Sequence, residues 1–121
     1  TMWKDYDDVV STVIEFLSQR IEILLKAGFP QNKIIVDPGM GAFVSANPKY
    51  SFELIDRLEE LKVLGCPILV GVSRKSFLGG DVKHRDQASV KWTIEALRKG
   101  ASIVRVHNTK LLSASLKSIF L

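Results

Sequence analysis

Cysteine is nearly absent. The 121-residue chain has one, Cys66, so no internal disulfide can form, and a reducing, cytoplasmic location is expected. Long apolar runs are missing too. No stretch approaches the roughly 18–20 apolar residues a membrane span needs. The first residues are polar and lead straight into a helical pattern, so neither a secretory leader nor a membrane partner is expected. No basic run exceeds two residues, as at Arg74-Lys75. The excess of 17 Lys and Arg over 13 Asp and Glu gives a formal charge of +4, but the cations are scattered. That argues against a nucleic-acid stripe and for an anionic small molecule as partner. No group of His, Cys and carboxylates has metal-ligand spacing, so no protein metal site is expected. A Ser/His/Asp or Cys/His catalytic set and the phosphate-binding glycine fingerprints are lacking as well.

What is there is ordinary globular composition, 46% hydrophobic and 25% charged, and enough chain for one domain at most. Tyr6 to Lys26 reads as an amphipathic helix, with Val10, Val13, Ile14, Leu17, Ile21, Leu24 and Leu25 at helical spacing. Gly28 and Pro30 stop it. Lys33–Val36 reads as a buried strand ending in the turn Asp37-Pro38-Gly39-Met40-Gly41. Asn47 caps a helix with Pro48 at its first position. This helix is expected to run to about Leu64 with Leu54, Ile55, Leu58 and Leu61 inward. Ile68-Leu69-Val70 is the next strand, and polarity then switches abruptly to Ser73-Arg74-Lys75-Ser76. Asp86 is read as the cap of a helix over about Gln87 to Lys99. Ser102 to Val106 is a third strand ending in His107, and Asn108 caps a last helix through Phe120.

The strand starts near residues 33, 67 and 102 repeat about every 35 residues, the period of βα units. The strands lack strict alternation, as parallel strands covered by helices do. Each carries its polar exceptions at its C-terminal end: Asp37, then Ser73-Arg74-Lys75, then Arg105 and His107. Ionisable groups on one rim of consecutive strands mark the active face of a (β/α)8 barrel. A complete barrel takes roughly 200–250 residues. The expected fold is therefore α/β, the C-terminal portion of a TIM barrel with three parallel strands and flanking helices. Residues 1–121 then form a single partial domain, a half-barrel fragment. Thr1 at the head adds to the expectation of a fragment. Open strand edges with apolar faces predict self-association, as a homodimer or higher.

Asp37-Pro38-Gly39-Met40-Gly41, Ser73-Arg74-Lys75-Ser76-Phe77-Leu78-Gly79 and Arg105-Val106-His107 resemble three successive motifs of the dihydropteroate synthase family, and Thr1-Met2-Trp3 with Tyr6-Asp7-Asp8-Val9-Val10 resembles its preceding segment. The resemblance implies a transferase of folate biosynthesis that condenses p-aminobenzoate with 6-hydroxymethyl-7,8-dihydropterin pyrophosphate and releases pyrophosphate, with Mg2+ arriving on that substrate. It implies that Asp37 accepts hydrogen bonds from the pterin amino and ring N–H groups and that Lys75 donates to the pterin carbonyl and neighbouring ring nitrogen. Ser76 would help hold the p-aminobenzoate carboxylate. Arg105 would pack on the pterin and, with His107, bind the leaving pyrophosphate. The chemistry agrees: a pterin has a donor edge and an acceptor edge, and developing negative charge needs fixed positive charge. Gly41-Ala42-Phe43-Val44-Ser45 departs from the family's commoner Gly-Phe-Gly-Lys continuation and resembles a subgroup that includes sulfonamide-resistant forms; Asn108 replaces the usual acid. The family's N-terminal loops are not in this chain, so incomplete activity is expected of it alone.

Plainer readings stand beside these. Asp37 suits a turn before Pro38-Gly39. Arg74 is read as a rim ion pair and Ser73 as a turn or backbone hydrogen bond. His84 is read as solvated, and Cys66, Trp3 and Trp92 as packing. A non-catalytic, self-associating half-barrel and a pterin-binding methyltransferase domain remain as alternative functions.

Overall fold

The computed structural model describes residues 3–120; Thr1 and Met2 of the leading motif lie outside the described residues. Helix α1 (Val9–Lys26) begins at Asp8 rather than Tyr6, because the Asp8 carboxylate accepts from the Val10 and Ser11 N–H groups. Tyr6 instead donates its hydroxyl to the Val44 carbonyl at 2.6 Å and meets the Tyr50 ring edge-on. Val10 and Ile21 are buried, whereas Leu24 and Leu25, expected inward, are exposed. The elements packed on α1 cover only part of its apolar face.

Helix α2 (Pro48–Asp56) starts as expected, with the Asn47 side chain accepting from the Lys49 N–H. It does not run to Leu64. Arg57, at φ −106 and ψ 22, leaves the α conformation, and Leu58–Leu64 continue as a 3-10 helix. The Arg57 guanidinium reaches Asp8 at 3.0 Å, Glu53 at 2.8 Å and Glu60 at 2.6 Å, so the break joins the start of α1 to the end of α2. With three residues per 3-10 turn, Leu58, Leu61 and Leu64 fall on one line, and all three are buried.

Strand β1 (Leu69–Val70) pairs in parallel with β2 (Ile103–Val104), Leu69 opposite Ile103 and Val70 opposite Val104. The described sheet has two strands, not three. The first expected strand reduces to one parallel bridge, Val36 to Ile68. Its beginning is spent on a 3-10 turn, Gln31–Lys33, whose Gln31 carbonyl takes the Ile34 N–H. Pro38 has no N–H to extend the ladder on the other side. Only Val36 is left to donate to the Pro67 carbonyl at 2.9 Å and accept from the Leu69 N–H at 2.8 Å.

Helix α3 (Val82–Arg98) starts earlier than expected, because Asp81 rather than Asp86 is its cap and accepts from the His84 N–H at 2.8 Å. Helix α4 (Thr109–Phe120) follows Asn108, whose side chain accepts from the Leu111 N–H at 2.9 Å. The main core gathers Val10 of α1, Leu54 and Ile55 of α2, Leu61 of the 58–64 segment, and Ile68 and Val70 at β1. Cys66 is buried there and free, as a packing cysteine. Trp92 packs on Phe52 at 4.8 Å between ring centroids, whereas Trp3 stands largely in solvent. No described helix is long and apolar enough to cross a membrane.

Candidate functional site

The residues just past the strand ends collect around one cleft of about 510 Å³, lined by Asp37, Pro38, Gly39, Met40, Phe43, Gly71, Lys75 and Arg105 together with Phe16 from α1. Asp37 is exposed at its edge. One carboxylate oxygen accepts from the Gly39 N–H at 2.9 Å. The turn reading and the site reading of Asp37 therefore hold together: one oxygen shapes the turn and the other is free to face the cleft. The turn needs glycine at Gly39 (φ 80) and Gly41 (φ 61), where other residues are strained. The Gly41 N–H is tied to the buried Ser51 hydroxyl at 2.8 Å.

Lys75 reaches the cleft because Arg74 does not. Arg74 has φ 57, the one non-glycine among the described residues on that side of the map. The reversal sends the Arg74 guanidinium to Asp86 at 2.6 and 3.1 Å, as the ion-pair reading anticipates. It leaves Lys75 pointing across the cleft, with its ammonium 5.2 Å from the Phe43 ring centre and its stem against Gly41. The Arg74 bonds, more than any other neighbour, hold the Asp86 carboxyl below the usual carboxylate range.

Arg105 follows β2, its N–H donating to the Val70 carbonyl at 3.1 Å. Its guanidinium packs closely against Gly71. A Cβ at Gly71 would stand 2.7 Å from Nη2, 3.1 Å from Cζ and 3.2 Å from Nε. Glycine is required here by the close approach of a side chain rather than by backbone angles. The cleft thus sets a carboxylate, an ammonium and a guanidinium plane around apolar walls.

His107 and Ser76 do not line this cleft. His107 is exposed, and its Nδ1 and backbone N–H both meet the Ser73 hydroxyl, at 2.8 and 2.9 Å. Ser76 lines a neighbouring depression with Gly41, Ala42, Ser45, Pro48 and Phe77. The structure therefore brings Asp37, Lys75 and Arg105 together, with Ser76 and His107 on adjacent parts of the same rim. Phe16, Phe43 and Gly71 are site residues that the sequence reading passed over. Phe43 is 83% exposed, and a hydrophobic residue so placed beside a lysine signals a ligand surface only once its exposure is known. Among the described residues no three His, Cys, Asp or Glu side chains are grouped to hold a metal ion.

The model of the pterin binding enzyme family matches residues 1–107. The chain is 38% identical to dihydropteroate synthase type-3 of Escherichia coli over 92% of this chain and 44% of the relative. It superposes with a TM-score of 0.88 and 31% identity on dihydropteroate synthase of Xanthomonas albilineans solved with 4-aminobenzoic acid, over 96% of this chain and 44% of that one. With the Thermus thermophilus enzyme in complex with 6HMPPP the TM-score is 0.85 at 34% identity, over 98% of this chain and 49% of that one. The chain spans less than half the length of these relatives.

Proposed function

Since the chain belongs to the pterin-binding enzyme family, we propose that it carries the pterin and leaving-group side of a dihydropteroate synthase site. The observation that carries the reading is the convergence of Asp37, Lys75 and Arg105 on one cleft. Asp37 accepts from the amino and ring N–H edge of the pterin, and Lys75 donates to its carbonyl edge. Arg105, seated against Gly71, stacks on the ring, which a guanidinium does and an ammonium does poorly. The aryl amine of p-aminobenzoate attacks the pterin methylene carbon, a C–N bond forms, the C–O bond to pyrophosphate breaks, and the amine gives up its proton to solvent. The negative charge that develops on the departing oxygen is met by Arg105 and His107. Ser76, in its adjacent depression, holds the p-aminobenzoate carboxylate. The described residues supply no cage for Mg2+; in this reading the ion belongs to the pyrophosphate substrate, and no step is routed through it.

Relatives named as dihydropteroate synthases, and ligands named with two of them, support the synthase over a methyltransferase domain. The exposed Ile35 and Ile103 beside the short sheet support self-association of this chain. Calorimetric titration of a pterin pyrophosphate analogue with magnesium into the 121-residue chain tests the reading. Binding near one per chain is expected, weakened about ten- to hundredfold by Lys75→Ala or by Asp37→Ala, as loss of hydrogen bonds to charged groups implies. Absence of binding overturns the cleft as a pterin pocket and leaves the non-catalytic half-barrel.

A further inference from the structure

The Ser73–His107 pair stands outside the cleft, yet its geometry constrains the imidazole. Ser73 is 9% exposed. Its oxygen accepts the backbone N–H of His107 at 2.9 Å and lies 2.8 Å from His107 Nδ1. A buried hydroxyl proton needs an acceptor, and among the described residues Nδ1 is the one its contacts provide. In the neutral ring Ser73 then donates to Nδ1, so the ring proton sits on Nε2, at the far side of the imidazole. In the imidazolium both nitrogens carry protons. Nε2 is a donor in both states, and it has no hydrogen-bond partner among the described residues. The charged groups around this pair agree with an outward donor. Asp86 is occupied by Arg74 at 2.6 Å and by the Asn108 amide at 3.4 Å. Arg105 lies two residues back on the same strand end.

We propose that Ser73 is a positioning residue that locks His107 with Nε2–H presented at the rim as a permanent donor to an anion of pyrophosphate type. The inference rests on the reading of this rim as the leaving-group side. Because the donor persists when the ring is neutral, His107 grips a phosphate oxygen without depending on its own charge. Ser73 also joins the ends of β1 and β2 through one hydroxyl, so the loop that carries Lys75 and the residue that meets the leaving group are fixed to each other.

The test uses the 121-residue chain and long-range proton–nitrogen correlation of its imidazoles at about pH 9, above the ordinary imidazole range. His84, exposed and the one other histidine, is the reference in the same spectrum. His107 is expected wholly as the Nε2–H tautomer, with His84 a mixture. Ser73→Ala is expected to give mixed tautomers at His107, and Ser73→Thr to restore the single form. Titration with inorganic pyrophosphate is expected to move the His107 Nε2 resonance, with affinity about fivefold weaker in Ser73→Ala, the usual effect of one hydrogen bond. An Nδ1–H tautomer at His107, or an unchanged spectrum in Ser73→Ala, overturns the proposal. The locked tautomer with no response to pyrophosphate instead overturns the reading of this rim as the leaving-group side, and with it the anion this proposal names.

Discussion

Gly71→Ala separates binding from folding at the residue beneath Arg105. An added Cβ would stand 2.7 Å from Nη2, whereas comfortable contacts begin near 3.5 Å, so the guanidinium must move by about 1 Å. The backbone does not oppose the change, since Gly71 is not among the glycines with positive φ. Arg105 is exposed and its side chain can swing aside with little disturbance to the fold. Alanine also reduces the freedom of the unfolded chain, so stability is expected to hold or rise by roughly 0.4–1 kcal/mol. Binding should go the other way. A stacked guanidinium contributes about 0.5–2 kcal/mol, and a misplacement of this size in a site is felt strongly. About tenfold weaker binding of the pterin pyrophosphate analogue is expected by calorimetry, with an unchanged or higher melting temperature. Arg105→Ala should lose a similar factor, and the double variant little more, because both changes remove one interaction. Full affinity in Gly71→Ala, or a loss of stability matching the loss of binding, refutes the argument that Gly71 exists to seat Arg105.

Other outcomes follow from the fold. Leu54→Ala, at a fully buried position, should destabilise the chain by about 2–5 kcal/mol in chemical denaturation. Hydrogen bonding to Arg57 first, and then to Ser11, lowers the Asp8 carboxyl from 3.8 to about 2. A lowered folded-state value means that this contribution is complete above about pH 4 and disappears as pH falls toward 2. Arg57→Met, which also releases Glu60, should therefore flatten the fall of melting temperature across that acid window; an unaltered acid profile would show that the Arg57 cluster is not what titrates. Sedimentation at micromolar concentration should show self-association, and a purely monomeric boundary counts against the open edges as contact surfaces.

Much of the fold is legible in the sequence because it is local. Asn47-Pro48 announces α2, Asn108 announces α4, and the spacing of Leu54, Ile55, Leu58 and Leu61 gives the buried side correctly. The errors arise where a distant residue decides. Asp81 and Asp86 are equally good caps by type, and only the arrival of Arg74 at Asp86 settles which one starts α3. Leu58–Leu64 looks α-helical until Asp8, 49 residues before Arg57, draws that arginine out of line. The first expected strand, Lys33–Val36, fails because a strand needs a partner along its length, and Val36 finds one for a single residue. At the site, Asp37, Lys75 and Arg105 are found from their places after the strands. Phe43 and Gly71 are not, since neither exposure nor the footprint of another residue's side chain is written in local pattern. The Ser73 link to His107 spans 34 positions and is likewise invisible before the fold.

The single bridge at Val36 has a kinetic consequence. Two backbone hydrogen bonds tie the segment leading into Asp37 to β1, and no ladder continues on either side of them. Opening that edge exposes the Val36 and Leu69 amides without unfolding the core around Leu54 and Leu58, so their hydrogen exchange should proceed through local opening. The acid that we propose meets the pterin amino edge therefore follows a segment held to the sheet by only two backbone hydrogen bonds. A ligand bridging Asp37 and Lys75 would act as the missing rungs, slowing exchange at Val36 and Leu69 while the amides of the buried leucines keep their rates.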